Sequence, residues 1–277
     1  MATIFLCSVA GSPGVTTTAV GLAEVWPRPV IVVEADSSKP SSIIPGYMQG
    51  QLDNSRGLLQ LAVQTQRHGL TNEALWDQLV PLAADLQKAD PASGKYLLSA
   101  ISNTVAAQNM TGLWSDLAVV LSAQADSGVD VIIDGGRYTP GDGRTPLLQM
   151  ADAALVLARP VLPDLAALVA PLASIREVLS RVGHEDYLGL VLMKSVAGNY
   201  GAGDIEKNLN TPAVGRIGWD PSNAAVFSQG EPRPRTFKRS EILSGLTALA
   251  AAADAQIRER AQRLGKRPVH IQEESRP

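Results

Sequence analysis

The chain has little of what several function classes require. It contains one cysteine in 277 residues, Cys7, so no disulfide framework can form within it. Cys7 sits inside an apolar run and reads as a small core residue rather than a nucleophile. The three histidines, His68, His184 and His270, are scattered, and no Cys/His cluster has the spacing of a metal site. Basic residues are slightly outnumbered, 24 Lys and Arg against 27 Asp and Glu, for a net charge of −3. That excludes the bulk positive footprint of a typical nucleic-acid binder, though not a local patch. No apolar run reaches the ~18–20 residues needed to cross a bilayer. The first residues lack a positive segment followed by a long apolar stretch, so no secretory signal is expected and the cytoplasm is the default compartment.

What is present is an alternation of short apolar runs and helical patterns. Strands are predicted over Thr3–Val9, Val30–Glu34, Tyr96–Ile101, Val129–Asp134, Ala153–Ala158, Tyr187–Met193 and Ala213–Ile217. Several are apolar throughout rather than alternating, the mark of strands covered on both faces in a parallel sheet. Helices are predicted over Thr16–Val25, Gly57–Gln66, Asn72–Leu86, Thr104–Ala125, Leu162–Val182 and Ser240–Leu264. The last has apolar residues at Ile242, Leu246, Leu249, Ala253, Ile257, Ala261 and Leu264, steps of three and four that make one stripe. This pattern predicts an α/β fold: a doubly wound, mostly parallel sheet of seven to eight strands flanked by helices. One domain over residues 1–264 is expected, with a polar tail over 265–277.

The segment Cys7–Leu22, CSVAGSPGVTTTAVGL, runs from a buried strand through a glycine-rich turn into a helix opened by threonines. Small residues let backbone approach an anion, and amides at a helix N-terminus point at it. Gly11, Ser12, Pro13, Gly14, Val15, Thr16 and Thr17 are therefore candidate nucleotide-binding residues, with the Thr16 hydroxyl placed to reach a magnesium ion. Taken alone, GSPG is equally a tight turn. Two further strands end in carboxylates: VIVVEAD at Asp36 and VDVIIDGGR at Asp134. An apolar strand ending in aspartate beside a phosphate loop can hold hydrated magnesium. The Gly-x-x-Gly spacing does not fit the GxGxxG of a dinucleotide fold.

In ordered combination these motifs resemble the ParA/MinD family of P-loop ATPases over about residues 1–260. AGSPGVTT is similar to the family's KGGxGKTT, with Gly11, Gly14, Thr16 and Thr17 matching. Val15 stands where the family has its phosphate-binding lysine, and Ala10 where it has the signature lysine that reaches across a dimer. The resemblance implies ATP or ADP with magnesium as ligands and Asp36 as the catalytic residue organising water. It places Thr16, Asp36 and Asp134 around the ion, partly through water. It also implies that Lys194, ending the sixth strand, and Asp220, in GWDPSN, lie near the base. Arg137 and Lys39 are candidates to replace the lost lysines. Relatives that need cluster or paired cysteines are excluded by composition. The implied activity is slow ATP hydrolysis or none.

Two roles follow from the resemblance: a nucleotide-binding protein that positions or partitions a cargo such as DNA, a plasmid or a pilus or secretion assembly, or a pseudo-ATPase scaffold in a pilus, secretion or conjugation apparatus. A protein partner is expected, and a homodimer is possible by a route other than the signature lysine. The basic stretch Arg233–Arg239 and the cations of the last helix and tail (Arg258, Arg260, Arg263, Lys266 and Arg267) are candidate DNA- or membrane-facing groups, against the simpler reading of solvated surface.

Overall fold

The computed structural model describes residues 2–11, 13–52, 55–101, 111–139, 141–197 and 200–265. The first strand, β1 (Thr3–Ser8), is buried along its whole length. It lies between β5 (Asp130–Arg137) and β6 (Ala153–Ala158), parallel to both. On one side the sheet continues through β2 (Val30–Glu34) to β4 (Lys95–Leu98) and a two-residue edge strand, β3 (Val80–Pro81). On the other it continues through β7 (Leu188–Met193) to β8 (Ala213–Ile217). The order is β3-β4-β2-β5-β1-β6-β7-β8, and the pair β3–β4 alone is antiparallel among the pairings of the described residues.

Alternate side chains of β1 serve opposite layers. Phe5 and Cys7 belong to the core layer that also takes buried residues from α2 (Leu58–His68), α3 (Asn72–Gln78), α4 (Thr111–Ser122), α5 (Thr145–Met150), α6 (Leu162–Ser180) and α7 (Ala202–Leu209). Ile4 and Leu6 pack under α1 (Val15–Val25), α8 (Pro221–Ser228) and α9 (Glu241–Arg263). A strand covered on both faces gains from an apolar residue at every position, so the sequence runs without alternation. Burial pushes the Cys7 thiol up to about 12, which fits its inert core role.

Helix α9 uses its stripe as the pattern predicts. Ile242, Leu246, Leu249, Ala253 and Ile257 are buried against β8 and α1, while Leu264 at the far end is exposed. The helices come so close that a Cβ on Gly21 of α1 would meet Leu246 Cδ1 at 2.5 Å. At the amino-terminal end of the sheet, buried Asp130 accepts from the Ala2 amide at 2.6 Å, Trp26 Nε1 at 2.7 Å and Arg28 Nε at 2.6 Å. Arg28 extends this network to Asp254 of α9 at 2.7 Å.

The helix expected over Asn72–Leu86 ends at Gln78. Pro81 cannot continue a helix, and the chain turns extended to pair Val80 and Pro81 with Leu97 and Tyr96. Of the helix expected over Thr104–Ala125, Thr111–Ser122 is α-helical and Ala123–Ser127 is a 3₁₀ turn, while residues 102–110 lie outside the described residues. Helices α5, α7 and α8 were not anticipated. They have 6, 8 and 8 residues, too short to show a helical period. Most of the expected tail, residues 266–277, also lies outside the described residues.

Candidate functional site

The chain reverses its direction of travel across the sheet at β1, and the carboxyl end of that strand carries the glycine-rich turn. Gly14 takes φ 90, a left-handed conformation that costs glycine little, and α1 begins at the next residue. No side chain caps this helix, and its first turn contains no acidic residue. The first amides of a helix have no partner within it, so those of Val15, Thr16 and Thr17 are open to an anion.

These residues form one wall of a cleft of about 390 Å³, within the ~300–1,000 Å³ of small-ligand sites. Gly11, Pro13, Gly14, Val15, Thr16 and Thr17 all line it. Asp36, Lys39 and Ser42 line it from the loop after β2, and Gly136 and Arg137 from the end of β5. Phe227 and Ser228 close it from the end of α8. Ser12 lies outside the described residues. The Val15 side chain is buried in the core on the α1 face, so a cation is absent from the loop itself.

Asp36 is 5% exposed. Its Oδ1 accepts from the Ser38 amide at 3.0 Å and the Ser38 hydroxyl at 2.6 Å. Its Oδ2 lies 3.8 Å from Lys39 Nζ. The carboxylate rests against Gly136, where a Cβ would stand 2.2 Å from Oδ2. Gly136 also takes φ 52. Both facts make glycine the residue this contact admits.

Asp134 is fully buried within β5, which runs past the strand end expected at Asp134 as far as Arg137, and lies beside Leu6 of β1 and Glu34 of β2. Its Oδ1 accepts from the Gly136 amide at 3.0 Å, and its Oδ2 has no hydrogen-bond partner among the described residues. Burial pushes this carboxyl up to about 6, and the nearby Glu34 charge adds to the rise. The Thr16 hydroxyl, close by without completing a hydrogen bond, and the Gly136 amide oppose it. A buried carboxylate oxygen without a partner is suited to a positive or hydrogen-bonding group.

Two buried residues that sequence reasoning missed hold these loops. Glu34 Oε1 accepts from the amides of Ser42 at 2.7 Å and Ile43 at 3.2 Å, and its Oε2 from the Ala100 amide at 3.1 Å. Arg144, 2% exposed, donates to the carbonyls of Ala35 at 3.1 Å, Gly135, and Arg137 at 2.7 Å, and is paired with Asp142. It thus ties together the chain segments that carry Asp36 and Asp134. Glu34 belongs to the VIVVE run and reads as a strand terminus, and Arg144 lies in a loop without period, so neither announces its role.

Lys194 and Asp220 do not line the cleft. Lys194, at the carboxyl end of β7, lies 3.4 Å from Glu241 at the surface. Asp220 caps α8, accepting from the amide of Asn223 at 3.3 Å and its side chain at 2.9 Å. Trp219 beside it is 53% exposed. Among the described residues no three His, Cys, Asp or Glu side chains are grouped to hold an ion by themselves.

No family model and no curated protein matches the chain. Solved structures do. The cell division ATPase MinD of Pyrococcus furiosus superposes with a TM-score of 0.69 at 18% identity, over 92% of this chain and 98% of that one. The septum site-determining protein MinD of Pyrococcus horikoshii, solved with Mg-ADP, gives 0.68 at 17%, over 91% and 96%. A ParA family ATPase of Chlorobium tepidum gives 0.64 at 16%, over 93% and 95%. The chain has the fold of these MinD and ParA proteins.

Proposed function

We propose that this chain is a ParA/MinD-like nucleotide-binding protein that takes ATP or ADP with magnesium at the phosphate loop and uses the bound state to position a cargo or assembly. The observation that carries this reading is the meeting, at one cleft, of an uncapped helix start with Asp36, while Asp134, buried two residues before the lining Gly136, keeps an unpartnered oxygen. The amides from Val15 to Thr17 would receive phosphate oxygens. Magnesium, when bound, supplies charge neutralisation for the phosphates. The residues present fit a hydrated ion: the Thr16 hydroxyl, Asp36, and Asp134 with its unpartnered oxygen. Asp36 is the residue to orient and deprotonate an attacking water, since Lys39 and Ser38 hold its carboxylate at the cleft wall. Hydrolysis is expected to be slow, because Ala10 and Val15 bring no charge to the loop.

The test is thermal stability with and without ATP–magnesium. Ligand at ~100 times its dissociation constant stabilises the folded state by about 2.7 kcal/mol. Val15→Lys should strengthen binding about tenfold, one charge-assisted contact, while lowering the melting temperature without ligand, since Val15 packs in the core. No shift at saturating ATP–magnesium, ADP–magnesium or GTP–magnesium would sink the nucleotide reading. It would leave the second one, a pseudo-ATPase scaffold that acts by protein contact, which the uncharged loop specifically favours.

A further inference from the structure

We propose that Lys39 and Arg137 supply, from two other segments of the cleft wall, the positive charge that the phosphate loop lacks at Ala10 and Val15. The inference rests on the nucleotide reading above and names the residues that make it workable. Among the residues lining the cleft, these two are the cations and Asp36 the one acid. Other cations nearby are already engaged. Arg144 is spent on three carbonyls and Asp142. Arg159, which lies against Gly11, pairs with Asp164 at 2.6 Å. Lys194 faces Glu241 outside the cleft.

Arg137 differs from all of these. Its side chain is exposed and has no hydrogen-bond or ion-pair partner among the described residues. Its backbone is nevertheless fixed: its carbonyl accepts from Arg144 at 2.7 Å, and it pairs in register with Ser8 at the end of β1. A held backbone with a free guanidinium at the mouth of a cleft is suited to a planar, bidentate grip on phosphate. Lys39 is 44% exposed, held only by Ser42 Oγ at 3.2 Å and by Asp36 at 3.8 Å. Its loop is anchored twice, by Glu34 to the Ser42 and Ile43 amides and by Asp36 to Ser38. An ammonium on a four-carbon stem can leave so loose a pair for a more highly charged partner. The loop lysine of an ordinary P-loop is replaced, on this inference, by two cations carried on the segments that also carry the carboxylates.

The experiment is calorimetric titration of the full chain with ATP–magnesium and, separately, with inorganic tripolyphosphate. The variants are Lys39→Ala, Arg137→Ala, the double variant, the conservative pair Lys39→Arg and Arg137→Lys, and Lys88→Ala as a remote control. Both target side chains are exposed, and unchanged melting in the absence of ligand checks the fold of each variant. Each alanine should weaken both ligands about tenfold and the pair about a hundredfold; Lys39→Arg and Lys88→Ala should stay close to wild type, and Arg137→Lys, which keeps the charge but loses the fork, should fall between wild type and Arg137→Ala. Wild-type affinity should also fall more steeply with added salt than that of the double variant. Binding by the wild type with a double variant within twofold of it overturns the inference and leaves the nucleotide reading standing. Failure of the wild type to bind either ligand overturns both.

Discussion

Asp134 carries a burial cost that the Thr16 hydroxyl, the Gly136 amide and the Lys39 charge offset only in part. Its carboxyl is pushed up from 3.8 to about 6 by burial, equivalent to about 3 kcal/mol at neutral pH. Asp134→Asn should therefore raise the melting temperature measured in chelator without nucleotide, and shrink the stabilisation that ATP–magnesium confers. A variant that melts lower than wild type in chelator would refute this. Asp142 works in the opposite sense. Burial alone would raise its carboxyl, but the hydrogen bonds and charge of Arg144 outweigh that and hold it low. A lowered folded-state value contributes stability above the ordinary carboxylate range and loses it as pH falls through that range. Acid melts below about pH 4 should show this loss, and Asp142→Asn should flatten it. Arg144→Leu, which strands three carbonyls and the half-buried carboxylate of Asp142, should cost about 3–5 kcal/mol in denaturant titration. The cleft's local parts were legible in the sequence because a turn, a helix start and a strand-end aspartate are contiguous patterns. Arg144 and Glu34 were not, because most of their partners are backbone groups that carry no sequence signal, and each joins segments far apart in the chain: Ala35 lies 109 residues from Arg144, and Ala100 lies 66 from Glu34.

Elements were legible in proportion to their length and to how completely they are covered. The strands buried on both faces showed as unbroken apolar runs, and the 23-residue α9 showed as a stripe. The 6- and 8-residue helices showed nothing, and Pro81 cut short a helix that the pattern alone would have carried on. Packing between elements was also invisible. Gly21 looks like a weak point in α1, since alanine is ordinarily better in a helix by ~1 kcal/mol. Its missing Cβ, however, is what admits Leu246, with Phe227 at 3.3 Å. Gly21→Ala should thus destabilise by about 1–3 kcal/mol, and the same change in a Leu246→Ala background should be neutral or favourable. Equal effects in the two backgrounds, read from a double-mutant cycle, would show that the two residues do not compete for that space.

The molecule separates stability from ligand handling by placing them at opposite ends of its strands. The candidate ligand residues sit at the carboxyl ends of β1, β2 and β5, whereas the network of Asp130 with Ala2, Trp26 and Arg28 closes the amino-terminal end. Asp130→Ala should accordingly cost about 3–5 kcal/mol in urea unfolding yet leave nucleotide affinity within a factor of two. A large affinity change would mean that the two ends are coupled. The apolar face of α9 is already spent on β8 and α1, so attachment to a membrane through that face would require the helix to leave the sheet. Among the described residues, no helix is long and apolar enough to cross a membrane. The two-residue β3 has a further consequence. Pro81 has no amide hydrogen to offer, and the strand beside β4 is too short to template a neighbour. Growth of the sheet from one molecule into the next is therefore blocked at this border, so a filament or aggregate seeded by strand addition would have to begin at β8 instead.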